Sequence, residues 1–165
     1  MTPFSSPVLD RMDSLAQAWE QAADGRCFFL RCYALMTGNM LRAIAQGEFH
    51  DPSWVDRLLH LFADYYYLAL HAYEHVDAGT PAVWRLAHDA ALTRQSPVLQ
   101  DLLLGINAHI NYDLVLTLVD MLDPEWAMLS PDQQRQRYED HSHVNDIIAG
   151  TIDRVQEQVV APEDR

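Results

Sequence analysis

The stretch Leu102 to Leu118, LLLGINAHINYDLVLTL, reads as apolar around its whole circumference and is too long for a strand, which constrains the fold more than any other segment. A helix of that character needs neighbours on every side, so the sequence predicts a helical bundle with this helix buried at its centre. Its middle nevertheless carries Asn107, His109, Asn111 and Asp113. Burying an amide, an imidazole and a carboxylate costs several kcal/mol unless each finds a partner. The four polar groups therefore mark either chemistry or a structural polar network.

The apolar spacing is helical nearly everywhere, and no segment combines a sustained period of two with a hairpin dipeptide, so the expected fold class is all-α. A first helix is expected from about Val8 to Ala23, stopped by Asp24-Gly25, and a second from about Cys27 to Gln46, broken by Gly47. Asp51-Pro52-Ser53 opens a third, to about Val76, with proline in the first turn where its missing N–H is harmless. Gly79-Thr80-Pro81 leads into a fourth helix, Ala82 to Thr93, and Ser96-Pro97 opens the long central one. Asp123-Pro124 ends that helix near Leu122, and Ser130-Pro131-Asp132 starts a last one reaching about Val160. Six helices with short connections predict one compact antiparallel bundle, with frayed ends before Val8 and at the final APEDR.

At 165 residues the chain suffices for one domain with a real core, and 49% apolar with 21% charged residues is a globular composition. No uninterrupted apolar run reaches membrane-spanning length, and MTPFSSPVLDRMDS lacks the basic-then-apolar pattern of a secretion signal, so a cytoplasmic protein without membrane association is expected. Eleven basic against 24 acidic residues give a formal net charge of −13, which repels a phosphate backbone and argues against nucleic-acid binding. All the basic residues are arginine, so no lysine exists to attach pyridoxal phosphate or to serve a P-loop. Cys27 and Cys32, five apart on a helix, point in different directions and read as reduced core residues rather than a disulfide or zinc pair.

His109 and Asp113 lie four apart on a helix, so they share a face and can hold one metal ion or bond to each other. Asn107 and Asn111 have the same spacing on an adjacent strip and are candidates to orient that pair or a ligand by amide hydrogen bonds. The last helix offers Tyr138, Glu139, Asp140, His141, His143, Asn145 and Asp146, of which Asp140, His141 and Asn145 are placed toward the core by the spacing of Ile147, Ile148, Ile152 and Val155. Two facing helices that each supply a polar pair are how bundles build metal sites, although the ExxH pairs of di-iron carboxylate bundles are missing. The plainer reading of the run from Glu139 to Asp146 is a solvated polar face.

The third helix has a core stripe expected at Trp54, Leu58, Leu61, Phe62, Tyr65, Leu68 and Ala72, with Asp64 at its margin as a further metal-ligand candidate. Tyr65, Tyr66 and Tyr67 are candidates to line a pocket with their hydroxyls, though an aromatic stripe more often belongs to a core. HAYEH, His71 to His75, matches the string of inverted zinc proteases, but it sits at a helix C-terminus, where histidines suit the helix dipole without a metal. No GxSxG string occurs and neither cysteine has a histidine at helical spacing, which argues against acyl-enzyme chemistry.

The segments GINAHINYDL at Gly105 to Leu114, GEFHDPSWVDRLLHLFADYYYLAL at Gly47 to Leu70, Trp84, and RYEDHSHVNDII at Arg137 to Ile148 together resemble the bacterial family known as domain of unknown function 5995. The resemblance spans about Phe28 to Val160. It implies an all-helical domain with Asn107, His109, Asn111 and Asp113 as signature positions, and it supplies no activity. HAYEH lies outside the pattern.

Three functional readings follow. In the first, the chain is a small enzyme that isomerises, cyclises, dehydrates or hydrolyses a small hydrophobic substrate, with His109 as acid or base and Asp113 fixing its tautomer; Asn107, Asn111, Tyr65 and Asn145 would contact substrate. In the second, His109, Asp113 and some of Asp64, Asp140 and His141 hold zinc or iron for hydrolysis or oxidation. In the third, the chain is a non-enzymatic module that binds a ligand or pairs with itself as a homodimer, and the polar core only fixes helix register.

Overall fold

The structure, a computed structural model, describes residues 6–161. The expected fraying before Val8 and at the final APEDR falls largely on residues 1–5 and 162–165, which lie outside the described residues; Ser6 is buried and Pro7 is already helical. The fold is all-α. The helices are α1 (Pro7–Gln21), α2 (Arg26–Gln46), α3 (Pro52–Glu74), α4 (Ala82–Thr93), α5 (Val98–Leu122), α6 (Pro131–Ala149) and a short α7 (Ile152–Val155).

The start signals act as the sequence implies. Pro7, Pro52 and Pro131 occupy first turns, Asp51 accepts the Trp54 N–H, and Ser130 with Gln133 forms a reciprocal capping box. Gly47 takes the left-handed conformation at the end of α2, with φ +72°. Gly25 does not play that part for α1. The left-handed residue there is Ala23, and Gly25 is needed because a Cβ would stand 2.3 Å from the Ala91 carbonyl oxygen, where α2 begins against the end of α4. The expected last helix breaks at Gly150-Thr151, where the Thr151 hydroxyl bonds back to the Ile147 carbonyl, and the chain restarts into α7 and a π-helical turn, Gln156–Val160.

The enclosed position belongs to α2 and not to the long apolar helix. α2 packs against α1, α3, α4, α5 and α6, and buries Phe29, Leu30, Cys32, Tyr33, Met40 and Leu41 among others. Cys27 and Cys32 are buried in this core and are not joined by a disulfide, and burial pushes the Cys32 thiol up to about 12. α5 lies across α2, α3 and α4, and only 39% of its most apolar stretch is buried. Leu99, Leu103, Val115 and Val119 face outward. By length and composition alone Val98–Leu122 is apolar enough to cross a membrane, yet its inner face carries the buried polar residues His109, Asp113 and Thr117.

The core stripe of α3 is rotated from the expected one. Trp54 and Leu58 are buried as expected, but Val55, Leu59, Ala63, Tyr66 and Leu70 complete the face, while Tyr65 is half-buried and Leu68 is 65% exposed. With three tyrosines in succession, apolar periodicity does not say which of them faces inward.

Candidate functional site

His109 and Asp113 are where the sequence places them, on the inner face of α5, and both are buried. The helix there is not α-helical. His109–Asp113 forms a π-helical turn in which the Leu114 N–H bonds to the His109 carbonyl, one residue wider than an α-turn. Such turns are rare and concentrate at functional sites, because the extra residue re-aims the side chains before and after it. Gly105, one turn earlier, permits the close crossing: a Cβ there would lie 2.7 Å from the Phe29 ring.

The side chains form a three-member chain. His109 Nδ1 lies 2.8 Å from Asp113 Oδ2, and the Trp84 indole N–H donates to both Asp113 oxygens at 2.9 and 3.0 Å. Since both carboxylate oxygens serve as acceptors, the proton between His109 and Asp113 sits on Nδ1. Burial holds the His109 pKa below its ordinary value against the raising influence of Asp113, so the ring is neutral and Nε2 presents a bare lone pair. That Nε2 is buried and has no hydrogen-bond partner among the described residues.

Five aromatic rings surround the imidazole. Phe62 stacks on it with centroids 3.6 Å apart and planes 8° apart, Tyr33 meets it edge-on at 4.3 Å, and Phe29, Tyr66 and Trp84 lie within 6.0 Å. The Tyr33 and Tyr66 hydroxyls are likewise buried and unpartnered, and burial raises the pKa of both well above that of a free tyrosine. Phe62 alone among the five is half-buried; the rest are buried. Behind the cage, a void of about 10 Å³ touches Trp84, His88 and Asp101, about the size of one water. Among the described residues His88 Nε2 and Asp101 Oδ1 have no hydrogen-bond partner, and burial lowers the His88 pKa to about 4.

The other candidates fall elsewhere. Asn107 and Asn111 are exposed and bond to each other, Asn111 Nδ2 donating to Asn107 Oδ1 at 2.7 Å, so they do not orient the dyad. Tyr65 donates to Asp120 at 2.5 Å, and Asn145 and Asp64 are exposed. Asp140 is buried because it accepts the backbone N–H groups of His50 and Asp51 at 2.8 and 2.9 Å, joining α6 to the start of α3. Around it Arg137 pairs with Asp51 and Glu125 and lies over the Trp54 ring, His50 pairs with Glu139, and His143 with Glu48. In the run from Glu139 to Asp146, Glu139, Ser142, Asn145 and Asp146 are exposed as a solvated face would be, while the buried Asp140, together with Arg137, clamps the turn from Glu48 to Trp54. His141 is half-buried with Nε2 unpartnered, and burial lowers its pKa. His71 and His75 have exposed rings 4.0 Å apart, and Glu74 between them pairs with Arg26. Among the described residues no three His, Cys, Asp or Glu side chains are grouped to hold a metal, so His109, Asp113, Asp64, Asp140 and His141 do not converge.

Of the buried cage residues the sequence singles out Tyr66 as a pocket candidate, and it leaves Phe29, Tyr33 and Trp84 without a role at the site. Helical spacing from Phe29 to Tyr33 and the lone Trp84 in a short amphipathic helix were the available signals.

Fold and site together define a helical bundle with a buried Trp–Asp–His chain inside an aromatic cage. The chain belongs to the family of unknown function DUF5995, whose family model matches residues 6–163 and so nearly the whole length. No curated protein and no solved structure matches it.

Proposed function

We propose that the protein is a small acid–base enzyme in which His109 moves a proton on a small, largely hydrophobic substrate. The observation that carries this reading is the unpartnered lone pair of His109 Nε2, held in one tautomer by Asp113, which Trp84 in turn fixes. An orphaned buried acceptor costs about 1–3 kcal/mol; His88 and His141 also leave Nε2 unpartnered, and what sets His109 apart is the carboxylate that fixes its tautomer. A neutral imidazole oriented by a carboxylate is the arrangement a general base requires. Phe62 is the wall through which substrate reaches it, because this ring covers the imidazole and itself borders solvent. The apolar cage selects for a hydrophobic substrate, and isomerisation, cyclisation, dehydration and hydrolysis all fall within what one base can do.

The enclosure of His109 favours a second reading, in which the chain Trp84–Asp113–His109 only locks α4 against α5. The two part on a folded variant. The test is a panel of small enolisable ketones, lactones and epoxides, assayed with the wild type and with His109→Gln and Asp113→Asn, each checked by circular dichroism. The enzyme reading expects a turnover that falls by about 10²–10⁴-fold in folded His109→Gln. Turnover that survives in that variant rules out His109 as the base.

A further inference from the structure

A groove of about 700 Å³ runs along the face of α2 that points away from Tyr33, between α1 and the chain after Thr151, in the size range of small-molecule sites. Its floor is apolar, with Leu9, Phe28, Leu35 and Val159. Its rim carries Arg31, Arg42, Arg94 and Arg154, four of the eleven arginines of a chain whose net charge is −13. The acidic residues on the same rim are already engaged. Glu20 and Asp13 hold Arg31, at 2.6 and 3.1 Å, and Asp24 holds Arg26 at 2.7 Å.

At the other end the positive charge is left over. Arg42 donates to Asn39 Oδ1 at 2.7 Å, and Asn39 Nδ2 donates at 2.7 Å to the fully buried Thr151, so the guanidinium is tied to the segment that carries Arg154. Among the described residues no carboxylate lies within ion-pair distance of Arg42 or Arg154. Two such arginines lining one cavity repel each other unless an anion lies between them, and a guanidinium is built to take carboxylate or phosphate oxygens in pairs.

We propose that this groove is a binding site for an amphipathic anion, with its carboxylate or phosphate head at Arg42 and Arg154 and its apolar body along Leu9, Phe28 and Leu35. The site is separate from His109, which lies across α2. It does not depend on the acid–base reading.

The test is titration of the full chain, followed by calorimetry, with dodecanoate, dodecyl phosphate, dodecanol and dodecylammonium, each below its micelle threshold. The proposal expects saturable binding of one dodecanoate or dodecyl phosphate per chain, and the stronger of the two identifies the head group. Dodecanol, dodecylammonium and the short anion butanoate each bind at least tenfold more weakly. The double variant Arg42→Ala/Arg154→Ala loses at least tenfold in affinity for the anion, whereas Arg135→Ala, at an exposed pair with Asp132, and His109→Gln bind as the wild type does. Equal affinity for dodecanol, undiminished affinity in the double arginine variant, or no saturable binding of either anion overturns the proposal.

Discussion

Replacing Asp113 by asparagine keeps the shape of the buried chain and removes its charge. The carboxylate accepts from the Trp84 indole and from His109 Nδ1. An amide offers one acceptor and one donor in the same space. Since Trp84 can only donate, the amide oxygen must face it, and the amide N–H₂ must face His109. His109 then accepts at Nδ1 and moves its proton to Nε2. The Trp84 bond to the amide oxygen and the bond to His109 survive as neutral ones, worth about 1 kcal/mol each where charge-assisted bonds are worth about 1.5–3, while the Trp84 arm that reaches the oxygen facing His109 is lost. The expected loss is therefore about 1–4 kcal/mol, or roughly 2–16 °C in Tm for a chain of this size, and it stays below that of the alanine variant because two bonds are kept. Asp113→Ala leaves both donors orphaned in a site 1% exposed and costs about 3–5 kcal/mol. The assay is nitrogen-detected NMR of the histidine rings: at neutral pH, Nε2 of His109 is unprotonated in the wild type and protonated in Asp113→Asn. Finding Nε2 protonated in the wild type, or the asparagine variant as unstable as the alanine one, refutes the chain of reasoning.

Gly105→Ala drives a methyl to 2.7 Å from Phe29, an overpacking expected to cost about 1–3 kcal/mol in urea unfolding and to shift the His109 ring resonances; a silent substitution would show that α2 and α5 do not cross this closely. Asp140→Ala removes the acceptor of two backbone N–H groups, so amide hydrogen exchange at His50 and Asp51 is expected to rise at least tenfold while that of α4 is unchanged. His88, His109 and His141 all have folded pKa values below the ordinary histidine value of about 6.5. Below that pH the unfolded chain binds more protons than the folded one, so the stability is full above about pH 7 and falls as pH drops through the window below 6.5. For His88, with a folded value of about 4, the loss approaches about 1.4 kcal/mol per pH unit and totals about 3 kcal/mol. Urea unfolding at pH 7 and pH 5 measures it, and a slope unchanged in His88→Gln would contradict this origin.

Much of the architecture was legible because proline, glycine and capping residues act locally. Asp51-Pro52 and Ser130-Pro131 start their helices where the sequence expects, whereas the end of the last helix is not foreseen, because it breaks at Gly150-Thr151 instead of running to Val160. The His109–Asp113 pair was legible for the same reason, since spacing four fixes a shared face. What was not legible depends on distant partners. Nothing near Trp84 in sequence announces that its indole serves Asp113, 29 residues away. The apolar circumference of α5 suggested enclosure, but α2 takes the enclosed position, and Asn107 and Asn111 lie outside because the same helix also has an exposed face. Asp140 reads as a metal ligand or a solvated carboxylate because the backbone groups it accepts from, at His50 and Asp51, lie about ninety residues earlier. The π-turn at His109 has no signature in the sequence; it arises where α5 crosses the cage.

The most direct measurement is site-resolved carbethoxylation, in which diethyl pyrocarbonate reacts with neutral, accessible imidazole nitrogens and mass spectrometry assigns each modified histidine. The account predicts that His109 reacts slowly in the wild type and at least tenfold faster in Phe62→Ala, with His88 unchanged between the two proteins. A His109 that stays inert when Phe62 is removed would contradict it, and would leave the chain Trp84–Asp113–His109 as a structural lock.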